Sequence, residues 1–275
     1  MKKILIAALI CSNAHAALIW SDDFENYDTS LLDLEDQNSA WFTGPVATQS
    51  IAVLDNDSSA PATFGNKTLA VGGYAPDFGT GDDTTVVYAL SPVAANFTMT
   101  GPLPEAHFTT DLILNAGSVA SLTDAFRLSL FDSSSNTLTS LLFSAGSTAG
   151  TVSVFRNDGG AGTYDTGAAL QVNAAYTLKL LMNMDYQKWS ATITPTGSTA
   201  APVTLFANVN LTANTAAQAD LGGFVLDWIS GDSGANWGEN SLNLDNMVLE
   251  SAVPEPSSAM VLALCAVACL QRRRR

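Results

Sequence analysis

Apolar and polar residues alternate with a period of two along almost all of Ala17–Ala252. In Lys188–Thr194, Trp189, Ala191 and Ile193 share one face, while Ser190, Thr192 and Thr194 share the other. That is the period of a strand with one face buried. Thirteen stretches read as strands: Leu18–Phe24, Ser50–Leu54, Thr68–Val71, Thr84–Leu90, His107–Leu114, Ala125–Phe131, Leu138–Phe143, Thr151–Arg156, Tyr176–Met184, Lys188–Thr194, Val203–Val209, Gly222–Ile229 and Ser241–Glu250. Turn-forming clusters such as Asp132–Asn136 and Asn157–Gly162 separate them, and Asp185-Tyr186-Gln187 closes the clearest hairpin. Leu31–Asp36 reads as a single helical turn. Many short strands with frequent turns predict an all-β chain, a two-sheet antiparallel β-sandwich.

The three cysteines, Cys11, Cys265 and Cys269, all lie near the ends of the chain, so a hydrophobic core without disulfides must hold the 236 residues between. Six of the 11 basic residues (Lys2, Lys3 and Arg272–Arg275) but only one of the 26 acidic ones (Glu255) are terminal. The body therefore has 25 acidic against 5 basic side chains, a charge of −20. Such a body repels nucleic acid and anionic lipid. With 47% hydrophobic and 13% charged residues overall, the chain is too apolar for a disordered stalk.

Both ends carry addresses. Lys2 and Lys3, the apolar Ile4–Cys11 and the small-x-small Ala14-His15-Ala16 form a signal peptide over residues 1–16, cut after Ala16. Ile10 before Cys11 is too large for a lipidation site. At the other end, residues 253–275 form a sorting tail. Val253-Pro254-Glu255-Pro256 is held extended by its prolines. Ala259–Leu270 follows, a 12-residue apolar run that makes a short transmembrane helix, below the roughly 20 residues of a comfortable span. Four arginines then fix the cytoplasmic side. This order resembles the PEP-CTERM sorting signal of Gram-negative bacteria. The resemblance implies an exosortase-type processing enzyme as partner, transient anchoring in the inner membrane, and delivery to the cell surface or an extracellular polysaccharide matrix.

The body, residues 17–252, resembles the concanavalin-like and laminin-G-like jelly rolls. The resemblance rests on the Asp22-Asp23-Phe24-Glu25 opening, the hairpin around Trp189 and the closing Leu244-Asp245-Asn246-Met247-Val248-Leu249. It implies a sandwich that binds sugar or protein, and often calcium. Calcium wants hard oxygen ligands. Asp23, Glu25 and Asp245 are the candidate metal ligands, placed where first and last strands would pair. In the closing strand, Leu242 and Leu244 are one residue out of phase with Met247 and Leu249, which reads as a β-bulge at Asp245-Asn246. The loop Asp232–Glu239 is a second candidate calcium place. Trp41 and Trp237, in loop-like stretches, are the candidate sugar-stacking rings, with packing as the competing role. Trp20, Trp189 and Trp228 lie within strands and read as core.

No catalytic residue is assigned. Gly231-Asp232-Ser233-Gly234 has the letters of a serine-protease loop, but His107 is the one histidine of the body and lacks the matching flanks. A retaining glycosidase needs paired carboxylates, and Asp33-Leu34-Glu35-Asp36 reads as a solvated turn. Zinc and phosphate-cradle patterns are missing. The expectation is an exported, non-enzymatic surface or matrix protein that binds or assembles with polysaccharide. The rivals are a carbohydrate-active hydrolase or lyase and a ligand-free envelope protein.

Overall fold

The computed structural model describes residues 17–29, 37–38, 41–43, 51–56, 64–72, 84–89, 105–116, 122–158, 162–184, 186–211, 221–229 and 240–252. The signal peptide, the sorting tail, Leu31–Asp36, Asp232–Glu239 and Trp237 lie outside these residues. Among the described residues no helix is long and apolar enough to cross a membrane.

Fifteen strands are described: β1 (Ala17–Asp22), β2 (Trp41–Thr43), β3 (Ile51–Asp55), β4 (Lys67–Gly72), β5 (Thr84–Ala89), β6 (Glu105–Asn115), β7 (Ala125–Phe131), β8 (Thr137–Ala145), β9 (Thr151–Asn157), β10 (Thr163–Gln171), β11 (Ala175–Asn183), β12 (Lys188–Pro195), β13 (Val203–Asn210), β14 (Gly223–Ile229) and β15 (Ser241–Ala252). All thirteen expected strands are present, with ends displaced by one or two residues. Two were missed. β2 has only three residues, too few for a period to show. β10 is a largely exposed edge strand, so nothing forces its residues to alternate. It also turns through Gly167 at φ +74°, where its register with β9 shifts.

The strands form two antiparallel sheets. The first runs β13-β12-β11-β6-β15-β4-β3, with β1 also on β15; the second runs β10-β9-β8-β7-β14-β5-β2. β15 lies against β6 along its length. Its other edge is shared: Ser241–Leu244 pair with β4, and Met247–Ser251 pair with β1. The first and last strands therefore pair as expected. The β11–β12 hairpin also forms, from Tyr176 opposite Pro195 to Asn183 opposite Lys188.

Between the sheets lies one apolar layer. Phe24, Phe108, Phe126, Phe143, Trp41, Trp189 and Trp228 are fully buried there. Phe108 of the first sheet and Phe224 of the second meet with ring centroids 5.6 Å apart. The Trp228 indole N–H, which cannot be buried unpaired without cost, donates to Asp124 Oδ2 at 3.0 Å.

Candidate functional site

The expected bulge is present. The register of β15 against β6 shifts between Asp245 and Val248, and Asn246 takes a left-handed φ of +49°. This is where the shared edge of β15 passes from β4 to β1. The bulge turns Asp245 inward, where it is fully buried. Its Oδ2 accepts the Gly65 N–H and its Oδ1 the Asn246 N–H, both at 2.7 Å. Glu25 is caught in the same way by the next two amides. Its Oε1 accepts the Asn66 and Lys67 N–H groups, and its Oε2 accepts from Asn66 Nδ2 at 3.0 Å. Successive N–H groups of 65–67 thus form an anion-holding nest for two carboxylates from the two ends of the body.

Burial pushes the Asp245 carboxyl up to about 6; the two N–H donors oppose this, and the charges of Asp111 and Glu25 add to it. The Asn66 side chain leads the opposite shift in Glu25, whose pKa is lowered. The third candidate ligand, Asp23, is exposed and accepts the Glu25 N–H at 3.3 Å. Among the described residues no group of three metal-ligating side chains converges.

Trp41 is not a sugar platform. It is 1% exposed, on β2, with its ring edge-on to Trp20 and Phe224 at 6.5 and 5.8 Å. Its indole N–H donates to Tyr27 Oη at 3.0 Å, and Tyr27 in turn donates to Asp22 Oδ2 at 2.7 Å. A three-residue strand looks like a loop in sequence, which made this ring a candidate; it takes the packing role instead. Burial raises the Asp22 carboxyl above its ordinary value, and the Tyr27 hydroxyl goes the same way.

The second sheet carries a site that sequence reasoning missed. In β7 and β14, Phe126, Leu128, Leu130, Phe224, Leu226 and Trp228 point inward, so Arg127, Ser129, Val225 and Asp227 point outward. Across the sheet, Ser129 faces Ser140 of β8, which faces Asn157 of β9. Together with Thr137 these residues line an open groove of about 460 Å³. Asp227 lies beside Arg127 in register and accepts its Nε–H at 2.7 Å. The Arg127 side chain remains 45% exposed, and among the described residues its terminal amino groups make no hydrogen bond. Such a groove can hydrogen-bond a polyhydroxylated chain from several strands at once. The sequence signal was faint: one arginine and one aspartate, each alone within an apolar strand.

His107, the histidine of the body, stands on β6 in the other sheet, 3.7 Å from Glu105, and burial lowers its pKa. It is no part of this groove.

The fold defines a class, the two-sheet antiparallel jelly-roll sandwich. No family model matches the chain, and neither does any curated protein. Among solved structures it is similar to the catalytic domain of the glycoside hydrolase family 131 protein from Coprinopsis cinerea, at 12% identity and a TM-score of 0.54, covering 86% of this chain and 95% of that one. It is also similar to the PL-14 alginate lyase from Aplysia kurodai, at 10% identity and a TM-score of 0.52, covering 85% and 99%. A third likeness is to the CBM2 module of the evolved Dit of Lactobacillus casei BL23 phage J-1, at 9% identity and a TM-score of 0.52, covering 86% and 97%. At these identities the likeness concerns the fold alone.

Proposed function

We propose that the chain is an exported β-sandwich, sorted to the cell surface or extracellular matrix by its tail, that binds polysaccharide without cleaving it. The observation that carries this reading is the outward row Ser129–Ser140–Asn157 beside the Arg127–Asp227 pair, lining a groove in which Ser129 and Ser140 are recessed, 6% and 5% exposed, and Arg127 reaches solvent. The fold is also that of a glycoside hydrolase domain, an alginate lyase and a CBM2 module, which supports a carbohydrate ligand. Non-catalytic binding is favoured by the groove's described lining. It has one carboxylate, Asp227, already tied to Arg127, whereas a retaining glycosidase uses two about 5 Å apart. The test is a polysaccharide panel scored for both retention and chain cleavage. Retention without new reducing ends supports binding; new reducing ends that disappear in Asp227→Asn support the hydrolase.

The sorting role rests on Pro254-Glu255-Pro256, the apolar run and the arginines, with an exosortase-type enzyme as the partner. Calcium at Asp23, Glu25 and Asp245 is a separate proposal, supported by the nearness of Glu25 and Asp111 to Asp245. It would have to use oxygen lone pairs that the amides leave over. A melting temperature that rises with calcium in wild type but not in Asp245→Ala supports it; equal melting in calcium and chelator removes it.

A further inference from the structure

Two half-exposed aromatic rings stand on the same outward face as the groove. Phe131 follows Ser129 by two residues on β7, and Phe155 precedes Asn157 by two on β9. The inward positions of β9 are Val152 and Val154, which are fully buried, so Phe155 is on the outward side. It faces Leu142 across β8 and Asp165 across β10. Among the described residues neither ring packs against another ring. A half-buried Phe on an outward face, without an aromatic neighbour, leaves a ring face suited to stacking on the apolar face of a sugar.

Their placement relative to the polar row is specific. β7 and β9 both run antiparallel to β8, so they are parallel to each other. Phe131 therefore lies on one side of the Ser129–Ser140–Asn157 row and Phe155 on the other. Two strand spacings and four residues of rise separate them, about 17 Å along the diagonal. The polar row crosses that diagonal at its middle.

We propose that a neutral polysaccharide runs diagonally across this face, stacking one sugar on Phe131 and another on Phe155, with its intervening hydroxyls bonded by Ser129, Ser140 and Asn157. This rests on the reading of this face as the polysaccharide site. Neutrality follows from charge. Arg127 is the one cation among the described outward residues of this sheet, and Asp227 neutralises it at 2.7 Å. Asp165 adds a negative charge beside Phe155, and the body as a whole carries −20. A polyanion would meet net repulsion here, while a neutral chain loses nothing.

The experiment uses the full chain in mild detergent, by affinity electrophoresis against neutral polymers (a β-glucan, a xylan and a galactomannan) and anionic ones (alginate and polygalacturonate). At least one neutral polymer should retard the protein, and the anionic ones should not. Phe131→Ala and Phe155→Ala should each weaken that binding about tenfold, while Phe131→Trp keeps it. For oligosaccharides of the retained polymer, wild-type affinity should climb until the chain bridges about 17 Å, and each alanine variant should lose that climb. Stronger binding to the anionic polymers, or unchanged neutral binding in both alanine variants with native melting, overturns this inference and leaves polysaccharide binding standing. No retention by any polymer overturns both.

Discussion

The guanidinium of Arg156 lies 4.5 Å from the centroid of the Tyr164 ring. It is also 5.5 Å from Phe206, whose ring meets that of Trp189 at 4.4 Å. Arg156 is in phase with inward-facing Val152 and Val154, at the end of the core where edge strands β10 and β13 approach. Asp158 stands 3.2 Å from its Nε, and burial raises the Asp158 carboxyl despite that cation. The arginine thus closes the open side of the sandwich with a flat cation between two rings.

Arg156→Ala should therefore destabilise the fold by about 2 kcal/mol, through lost stacking and a buried carboxylate left alone. Arg156→Lys should recover less than half of that, because an ammonium cannot stack. Urea unfolding followed by tryptophan fluorescence checks both, and full recovery by lysine would refute the stacking role.

Gly65→Ala should push the Glu25 carboxylate off its amides. A Cβ there would come within 1.9 Å of Glu25 Oε1, and the N–H it carries holds Asp245. A loss of about 1 kcal/mol is expected, the cost of the Glu25 hydrogen bonds. Combining it with Glu25→Ala should add little to the loss, since the same hydrogen bonds are gone in both. A double variant much less stable than Gly65→Ala alone would mean that Glu25 had kept its amides in the single variant.

Asp245 makes the fold more stable in mild acid. Its folded pKa, about 6, is above the unfolded value of about 4, so the folded state binds the proton more tightly. Stability should rise by roughly 2 kcal/mol as pH falls from above 7 towards 4, a little over half of it between 7 and 5. Asp22 and Asp158, also raised, add to the same slope. Glu25 and His107, both lowered, work in the opposite sense: His107 offsets part of the gain below the ordinary histidine range, while the Glu25 contribution is lost only in stronger acid. Urea unfolding in chelator at pH 5 and 7 should show the gain in wild type and a smaller one in Asp245→Asn. Equal gains would remove Asp245 as the titrating group.

Replacing Pro254 and Pro256 by alanine should leave an unprocessed, membrane-held chain. Intact-mass measurement of the exported protein checks this, and an identical mature C-terminus in variant and wild type would refute it.

The fold was legible because burial writes itself into a strand at every second residue. The β11–β12 hairpin and the bulge at Asp245 were both readable from that phase alone. β10 was not, since its side chains are mostly in water and no phase is imposed. The residues of the nest were half legible. Asp245 and Glu25 stood out as oxygen donors, but their partners are main-chain N–H groups of 65–67, which no side-chain letter reveals. The groove was hidden for a different reason. Arg127, Ser140, Asn157 and Asp227 come from four strands, and only strand order brings them together.

The exchange of partners along β15 sets an order of events. Ala17 pairs with Ser251, so the first strand to be made waits for nearly the last. Until Met247–Ser251 arrive, β1 has no neighbour and the Glu105–Thr109 half of β6 lacks the strand that should sit beside it. Contacts this distant are slow to close, because the long intervening chain must first be brought together. A chain that stops before Ser241 therefore leaves a sandwich split down the middle of its larger sheet, with bare hydrogen-bonding edges on both sides of the gap.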